Sequence, residues 1–480
     1  MDAQLSLLWP EATLAAGVIA VLTVDLLLPA GRKSAAALIG VAACMIAAVM
    51  AIDPKTGSVA SMLSIDGLVV LARPAILLTT LLVLLAGREE HGRDDDHGAW
   101  VAMIVGLGCG ALVTAASANL VTLLLGLELM SLAGYALAAW HGGDRKAAEA
   151  GMKYVLFGGV ATGLSLFGMS HVYGLTGHLD FAGIGEALAN GLPVPALAAL
   201  CLVGVGLAYK LAIVPFHFYA PDVYQGAPAI GVAALAVIPK FAVVAVLIRG
   251  LSIIPSDAVP WSTLGGVLAA LAVVSLLVAA FTALAQRDAK RIVAFSAIGH
   301  AGAVLLAVAS QPGVSAIAAA AFYLAAYAVA NVGALVCLAV VERERGSCAL
   351  DSLPGLMRQR PWLTAALCLF LFSLVGVPPL AGFLAKWGLL GEALRVGLGE
   401  VNRGYMVWAA LALLVSTAIS AWAYLLIVRA AVLAPAPDTQ PAAQRLGAGT
   451  VSVLVFCASA TVAIGVWLDG FAVIAKQLTR

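Results

Sequence analysis

The sequence predicts an all-α polytopic membrane protein, because of its composition and its long uninterrupted apolar segments. Hydrophobic residues make up 63% of the 480 residues, charged residues make up 11%, and the mean hydropathy is +1.05. Soluble domains are about 45–50% apolar and about 25% charged. The formal net charge of +1 offers no strongly charged surface for nucleic acid. We therefore expect the chain to lie within a lipid bilayer.

About fourteen segments are long and apolar enough to cross a bilayer core about 30 Å thick, which takes about 20 helical residues. Backbone polar groups in lipid must be satisfied within the segment, and these runs are too long for barrel strands, so each is expected to be a helix. The first run opens with MDAQLSLLWPEA, lacks a basic start and is expected to remain as a span. The expected spans are 5–28, 34–52, 66–87, 98–117, 119–141, 147–175, 193–214, 228–250, 260–285, 292–310, 314–341, 361–391, 404–432 and 446–470.

Basic residues in the loops predict the orientation. If every span crosses once, one side holds Arg32, Lys33, Arg88, Arg93, Arg145, Lys146, Arg287, Lys290, Arg291, Arg343, Arg345, Arg358, Arg360, Arg429 and Arg445, and the other holds Lys55, Arg249, Arg395, Arg403, Lys476 and Arg480. The positive-inside rule makes the richer side cytoplasmic. Both ends of the sequence are then expected on the outer side, which is periplasmic in a bacterial inner membrane. The run GREEHGRDDDHG at 87–98 is expected to be a solvated loop and not a metal site.

The cysteines and the motif search indicate no cofactor site. None of the seven cysteines belongs to a CxxC pair and most lie in apolar runs, which excludes an iron–sulfur motif and argues against a disulfide framework. The sequence contains no GxGxxG after a predicted strand, no Walker A motif and no HExxH. We expect the chain to bind no cofactor or metal of its own.

Ionisable residues within the predicted spans are the best candidates for function. They are Glu128 in LLLGLELMSLAGYALAAW, Lys210 in AYKLAIVPFHFY, Lys240 in AVIPKFAVVAVLI, Lys386 in VPPLAGFLAKWGLLG and His300 in RIVAFSAIGHAGAVLLAV. A charged side chain at mid-membrane costs at least ~2.5–3.5 kcal/mol unless it is paired or hydrated. Any single lysine near a break can instead extend to the interface, and a single histidine is often a satisfied core residue. Three lysines together with a glutamate in mid-helix favour an ion path.

Two of the predicted spans contain helix breaks. Pro215 interrupts the seventh span, and Pro378 and Pro379 interrupt the twelfth. A separation of five spans gives the broken helices opposite orientations, as in two inverted five-helix repeats. Paired interrupted helices indicate a transport site, because unwound backbone is tolerated only beside a polar cavity. The expected domains are 1–97 (helices 1–3), 98–250 (first repeat), 251–432 (second repeat) and 433–480 (C-terminal loop and helix 14).

Other polar residues in the spans leave alternatives open. Tyr323, Tyr327 and Asn331 recur every four residues and so share one helix face. They fit either hydration of a proton path or ordinary hydrogen bonding between helices. Asp25 and Arg73 are expected near the membrane interfaces, in preference to the path.

Five ordered segments resemble signature segments of the antiporter-like subunits of NADH-quinone oxidoreductase, respiratory complex I. They are LELMSLAGYALAAW, AAEAGMKYVLFGGVATG, YKLAIVPFHFYAPDVYQGAP, RDAKRIVAFSAIGHAG and GVPPLAGFLAKW. The third is most similar to the subunit N branch, and the resemblance covers residues from about 98 to 432. Subunits L and M and the Mrp-type sodium/proton antiporters share the same architecture.

The resemblance implies a division of labour. Partner subunits would carry NADH, FMN, iron–sulfur clusters and quinone, and this chain would move protons in a bacterial inner membrane. The implied neighbours are the antiporter-like subunit M and the small subunits J and K. A Mrp-type cation/proton antiporter subunit is the alternative function, and a membrane scaffold that moves nothing is the third.

The resemblance also implies roles for the ionisable residues of the spans. Glu128 matches the glutamate of the fifth helix, Lys210 the lysine of the broken seventh, Lys240 the lysine of the eighth and Lys386 the ionisable residue of the broken twelfth, with His300 between the last two lysines. Lys can release a proton after desolvation and regain it beside a carboxylate, whereas Arg stays charged. Three lysines therefore fit proton transfer better than static pairing.

Overall fold

The computed structural model describes residues 5–29, 34–53, 55–91, 96–140, 144–189, 191, 193–254, 259–311, 313–435, 443–467 and 469–478. Four of the basic residues used above for the orientation lie outside these ranges, namely Arg32, Lys33, Arg93 and Arg480. Residues 92–95 of the predicted solvated loop also lie outside them.

The described chain is a helical bundle with one small antiparallel hairpin. It begins with α1 (Trp9–Leu27), α2 (Ser34–Met50), β1 (Gly57–Val59), β2 (Leu63–Ile65) and α3 (Gly67–His91). The next group is α4 (His97–Ala116), α5 (Leu120–Ala138), α6 (Arg145–Thr176), α7 (Phe181–Leu188), α8 (Val194–Leu211), α9 (Ala220–Gly226) and α10 (Ala229–Leu251). Then come α11 (Trp261–Leu284), α12 (Ala289–Ala309), α13 (Val314–Arg345), α14 (Leu356–Gln359), α15 (Pro361–Val375), α16 (Ala381–Gly399), α17 (Tyr405–Val428), α18 (Ala448–Val466) and α19 (Gly470–Leu478).

The helices confirm the predicted fold class. Twelve helices in the described part of the chain are long and apolar enough to cross a membrane. Helices α2 and α15 are shorter apolar helices, and α16 continues α15 beyond a break. Every predicted span therefore corresponds to a helix or to a helix pair. The chain is an all-α polytopic membrane protein.

The helices α4–α10 form a first group and α11–α17 a second group, and the second helix of each group is capped in the same way. The side chain of Asn119 caps α5 by accepting the N–H of Val121, and that of Asp288 caps α12 by accepting the N–H of Lys290. Each capping residue also forms a β-bridge to the chain that follows a long helix, Asn119 with Asp180 and Asp288 with Ala349. The first two helices of each group pack against each other, α4 on α5 and α11 on α12.

The long helices of the two groups also correspond. Helices α6 and α13 both contain 32 residues, about 48 Å of helix. Each ends at a glycine in the left-handed conformation, Gly177 at φ 74° and Gly346 at φ 69°. Glycine adopts this conformation without the steric cost of a Cβ, which suits it to a helix C-terminus.

The predicted breaks lie between helices. Helix α8 ends at Leu211, Ala212 follows as its C-cap with a φ of 58°, and the chain passes the cis Val214–Pro215 bond before α9. Helix α15 ends at Val375, Gly376 follows as its C-cap with a φ of 93°, and the chain passes the cis Pro378–Pro379 bond before α16. Both breaks leave the last carbonyl groups of a helix without intrahelical partners. These carbonyls become part of the site described below.

Helices α10 and α13 form the centre of the bundle. Both are almost entirely buried, and they pack against each other, while α10 also contacts α3 and α4, and α13 also contacts α12, α15, α16 and α18. Helices α6, α17 and α18 lie at the periphery and expose apolar side chains. Side chains on α10 and α13 are therefore shielded from lipid on nearly every side.

Two polar residues outside the centre are buried, and one expectation, the solvation of the whole run 87–98, needs correction. Arg73 is buried, and it donates hydrogen bonds of 2.9 Å to both carboxylate oxygens of Glu11. It therefore makes an internal ion pair between α1 and α3 near the start of α1, and its expected position near a membrane interface stays a prediction. His97, at the end of the predicted solvated loop, is fully buried at the start of α4. Asp25 is half-buried.

Candidate functional site

Glu128 and Lys210 line one small cavity between α5, α6 and α8. Its volume is about 10 Å³, and its wall includes Thr162, Ser165 and Tyr209. The hydroxyl of Thr162 donates a hydrogen bond of 2.8 Å to the carboxylate of Glu128. Glu128 is half-buried, whereas Lys210 is buried. The carboxylate and the ammonium thus share a pocket between the helices without a hydrogen bond between them in the described structure.

The ammonium of Lys210 has aromatic neighbours. The nitrogen lies 5.8 Å from the ring centroids of Tyr135, Tyr154 and Tyr209. It has no hydrogen-bond acceptor among the described residues. This surrounding differs from that of the other lysines at the site.

Lys240 lies on the central helix α10 and is 4% exposed. Its ammonium donates hydrogen bonds to the main-chain carbonyl of Leu211 at 3.2 Å and to that of Ala297 at 3.1 Å. Leu211 is the last residue of α8 and follows Lys210 directly. Ala297 precedes His300 by one helical turn on α12. Lys240 therefore connects the broken helix of the first group with the helix that carries the histidine.

Lys386 makes the corresponding contact at the second break. Its ammonium donates hydrogen bonds to the carbonyl of Leu374 at 3.0 Å and to that of Val375 at 2.8 Å. These are the last two residues of α15. A Cβ on Gly376 would lie 3.1 Å from Cδ of Lys386, so the glycine makes room for the lysine stem. In both broken helices, the last carbonyl groups thus accept hydrogen bonds from a lysine ammonium.

His300 is buried between Lys240 and Lys386. Its Nδ1 shares a hydrogen bond of 2.6 Å with the hydroxyl of Tyr323. The ring of Tyr327 lies 4.9 Å from the ring of His300 and 5.7 Å from the ammonium of Lys240. Tyr327 therefore stands between the histidine and the lysine of α10.

A polar cavity of about 30 Å³ joins His300 to Lys386. A cavity needs roughly 10–15 Å³ of this kind of volume to hold a water molecule. Hydroxyl groups supply most of its polar lining, from Ser296, Tyr323, Ser416, Thr417, Ser420 and Tyr424. Ser296 and Tyr424 are hydrogen-bonded to each other. The space is large and polar enough for ordered water beside the histidine and the lysine.

The predicted residues thus form one row across the bundle. The pocket of Glu128 and Lys210 adjoins the Leu211 carbonyl that binds Lys240, and the cavity of His300 and Lys386 lies beyond Tyr327. No cluster of three or more histidine, cysteine, aspartate or glutamate side chains able to hold a metal occurs within the described residues.

Comparisons with known proteins agree with this architecture. The family model described as NADH:quinone oxidoreductase/Mrp antiporter, TM, matches residues 117–420. NADH-quinone oxidoreductase subunit N of Geobacillus kaustophilus (strain HTA426) is 37% identical over 484 aligned residues, which cover 97% of this chain and 95% of the relative. The chain belongs to the NADH:quinone oxidoreductase/Mrp antiporter family, in its subunit N branch. The resemblance inferred from the sequence is therefore confirmed.

Two solved structures have the fold of this family member. A chain of respiratory complex I from Thermus thermophilus with bound Aureothin has a TM-score of 0.79 and 29% identity, and the match covers 97% of this chain and 98% of that one. A chain of the Mrp complex from Dietzia sp. DQ12-45-1b has a TM-score of 0.81 and 19% identity, and covers 98% and 97%. The second likeness concerns the fold alone.

Sequence reasoning missed several polar residues of this subunit's site. Thr162 was not singled out, although it contacts the carboxylate of Glu128. The three tyrosines around Lys210 were not recognised either, although Tyr154 and Tyr209 lie inside the quoted segments next to Lys153 and Lys210. The position of Tyr154 directly after a lysine, and of Tyr209 directly before one, was the sequence signal that could have identified them.

Tyr323, Tyr327 and Asn331 of α13, for which the sequence left two roles open, have different surroundings. Tyr323 contacts His300, and the hydroxyl of Tyr327 donates to the carbonyl of Ala236 at 3.2 Å, which is a hydrogen bond between helices. Asn331 is fully buried, and neither its amide oxygen nor its amide nitrogen has a partner in the described structure. The face thus combines contact with the site and packing between helices.

An ionic network of this subunit lies at the end of the bundle predicted to be cytoplasmic. Asp222 on α9 accepts hydrogen bonds from Lys153 on α6 at 2.7 Å and from Arg291 on α12 at 2.6 Å. Lys290 is paired with Glu342, whose second oxygen accepts the N–H of Ala229 at 3.0 Å. These pairs tie the two groups of helices together at one end. They lie apart from the row that contains Lys240 and His300.

Proposed function

We propose that this chain is a proton-translocating membrane-arm subunit of an NADH:quinone oxidoreductase. Protons pass along a relay of Glu128, Lys210, Lys240, His300 and Lys386. The chain supplies the path, and partner subunits supply the electron transfer that drives it. Beyond family membership, we thus assign the proton path to particular residues and its driving energy to electron transfer in partner subunits.

The observation that carries the proposal is the position of Lys240. It contacts the carbonyl next to Lys210 and the helical turn that carries His300, so it links the broken helix of the first group to the helix of the histidine. A relay of this kind needs each carrier within reach of the next, directly or through water. Tyr327 and the hydroxyl-lined cavity supply polar groups for the remaining steps.

Glu128 is the switch at the start of the relay in this proposal. An ammonium in a low-dielectric site releases its proton more readily, and a nearby carboxylate opposes that release. Glu128 and Lys210 share a pocket but lie too far apart for a close ion pair, so a small approach or retreat of the carboxylate changes the charge balance at the lysine. Partner subunits would control that movement.

The proposal includes cofactors in partner subunits and particular neighbours, which the similarity to NADH-quinone oxidoreductase subunit N supports. NADH, FMN, iron–sulfur clusters and quinone would bind to partner subunits. The direct neighbours would be the antiporter-like subunit M and the small subunits J and K. The complex would lie in a bacterial inner membrane, with both ends of this sequence on the periplasmic side and the Lys153–Asp222–Arg291 network on the cytoplasmic side.

The proposed organisation has four parts. Residues 98–250 and 251–432 form two inverted five-helix repeats, residues 1–97 precede them and residues 433–480 follow them. Similar helix caps, bridges and breaks in the two groups support this division. The relay runs along the contact between the repeats.

Purification of the tagged chain from its host membranes tests the proposed function. Flavin and iron–sulfur absorbance should copurify with the chain, and the purified complex in vesicles should move protons when NADH reduces quinone. Purification without redox partners, together with sodium-dependent proton exchange that needs no NADH, would contradict the proposal. That outcome would instead support the Mrp-type antiporter, which the family model also includes.

A further inference from the structure

Lys210 differs from the other buried lysines in what surrounds its ammonium. Lys240 and Lys386 each donate to two main-chain carbonyls, and Lys290 binds a carbonyl and a carboxylate. Lys210 has no acceptor in the described structure, and three tyrosine rings lie at 5.8 Å instead. A cation within about 6 Å of a ring centroid is attracted by the ring quadrupole.

The three rings come from three helices and are fixed in place. Tyr135 on α5 meets Tyr154 on α6 edge to face, with centroids 4.9 Å apart and an angle of 87°. The hydroxyl of Tyr209 on α8 donates to the carbonyl of Tyr154 at 2.9 Å. Tyr219 stacks on Tyr154 at 5.1 Å and donates to the carbonyl of Tyr209 at 2.8 Å. These contacts hold the rings around the ammonium whatever its protonation state.

Gly158 is part of the same arrangement. A Cβ at this position would overlap the hydroxyl of Tyr135 and would lie 3.0 Å from the hydroxyl of Tyr209. Because Gly158 on α6 has no side chain, two of the three tyrosines can approach the lysine. The rings and the glycine together form a shaped aromatic pocket.

We propose that Tyr135, Tyr154 and Tyr209 form a cation–π cage that favours the protonated form of Lys210. The cage attracts the ammonium but not the neutral amine, and it offers no strong acceptor that would take the proton. The other charged groups around the lysine are Glu128, in the same cavity, and Lys240, across the Leu211 carbonyl. The tyrosines are positioning residues, and the proposal rests on the proton-relay function.

Matched substitutions separate the aromatic ring from the hydroxyl group. Tyr154→Phe and Tyr135→Phe keep the ring, whereas Tyr154→Leu and Tyr135→Leu remove it. Tyr173→Leu is the control, because Tyr173 is half exposed on the same helix, about 28 Å from Tyr154. The measurement is the pH dependence of NADH-driven proton pumping by the intact complex in vesicles, with assembly checked separately.

The alkaline limb of the pumping profile is the decisive readout. Loss of a ring weakens the attraction for the protonated lysine. The midpoint of the alkaline decline in pumping should therefore move to lower pH, by about 0.5 to 1 pH unit for each ring removed. The phenylalanine variants and Tyr173→Leu should keep the wild-type profile. If Tyr154→Leu does not assemble, Tyr135→Leu decides the question, because the Tyr135 ring is only half-buried.

Two results would overturn the cage. One is an unchanged profile in an assembled leucine variant, and the other is an equal shift in the phenylalanine and leucine variants. If the proton-relay proposal itself is wrong, the result is different, because the Lys210→Ala variant would then pump at the wild-type rate. If the cage alone is wrong, Lys210→Ala still loses pumping while the leucine variants keep the normal profile.

Discussion

The ammonium of Lys240 donates a hydrogen bond of 3.2 Å to the main-chain carbonyl of Leu211, the last residue of a broken helix. The last carbonyls of a helix have no intrahelical partner and carry the negative end of its dipole. Lys386 makes the same kind of contact with Val375 at the other break, at 2.8 Å. Each break therefore presents carbonyl oxygen atoms to the ammonium of a lysine inside the bundle.

The first prediction follows from that contact. Lys240→Met should abolish proton pumping, because methionine cannot carry a proton and leaves the carbonyls of Leu211 and Ala297 without their donor. An unpaired buried polar group costs about 1–3 kcal/mol, so assembly should also weaken. Pumping per assembled complex in vesicles is the measurement. Lys55→Met is the control, because Lys55 is exposed, and equal pumping by both variants would contradict the relay.

A second prediction concerns the partner of Glu128. Thr162→Val removes the 2.8 Å hydrogen bond to the carboxylate without changing the size of the side chain much. A hydrogen bond to a charged group contributes about 1.5–3 kcal/mol, so pumping should fall severalfold. Thr162→Ser keeps the hydroxyl and should retain most of the activity. If valine and serine behave alike, Thr162 does not position the carboxylate.

A third prediction concerns the second break. Gly376→Ala places a Cβ on a residue with a φ of 93°, only 3.1 Å from Cδ of Lys386. Left-handed backbone costs a residue with a Cβ roughly 1–2 kcal/mol, and the lysine stem must also move. We expect reduced assembly and reduced pumping. Gly391→Ala on the following helix is the control, since its Cβ would meet nothing within 4 Å.

The fourth prediction concerns the orientation. Arg358→Cys should react with a membrane-impermeant thiol reagent only from the cytoplasmic side, because the basic loops at 287–291 and 343–360 are predicted to be cytoplasmic. Arg358 is exposed, so the new thiol is accessible. Lys55→Cys, exposed at the opposite end, should react from the periplasmic side. The reverse pattern of labelling would invert the proposed topology.

The bundle and its breaks were predictable because their causes are local in the sequence. Long apolar runs specify spans. Pro215, Pro378 and Pro379 lie at the two breaks, as expected for a residue that lacks the backbone N–H, although Pro74 and Pro239 lie inside helices. The site residues were recognisable one by one, since a charge in mid-membrane is costly enough to need a reason. Lys210 and Lys240 both fall in this class.

The partners of those residues were not predictable in the same way. Tyr135, Tyr154 and Tyr209 lie on three different helices, and a tyrosine in an apolar helix is common enough to attract no notice. The buried pair of Arg73 and Glu11 joins residues 62 positions apart. Only the packing of helices shows such contacts, and an all-round apolar sequence carries little information about that packing.

The last prediction concerns Lys210. Its ammonium shares a pocket with Glu128 and lies among three tyrosine rings, which is a suitable site for a cation that gains and loses a proton. Lys210→Ala should sharply lower pumping and coupled quinone reduction, while the complex still assembles. Lys210→Arg should fail as well, because guanidinium keeps its proton at any physiological pH. A static ion pair or an interfacial cation would accept arginine, since guanidinium binds carboxylates and aromatic faces at least as well as an ammonium does. Pumping in vesicles by each assembled variant distinguishes the two roles, and an arginine variant with the wild-type rate would show that Lys210 holds a charge and does not carry a proton.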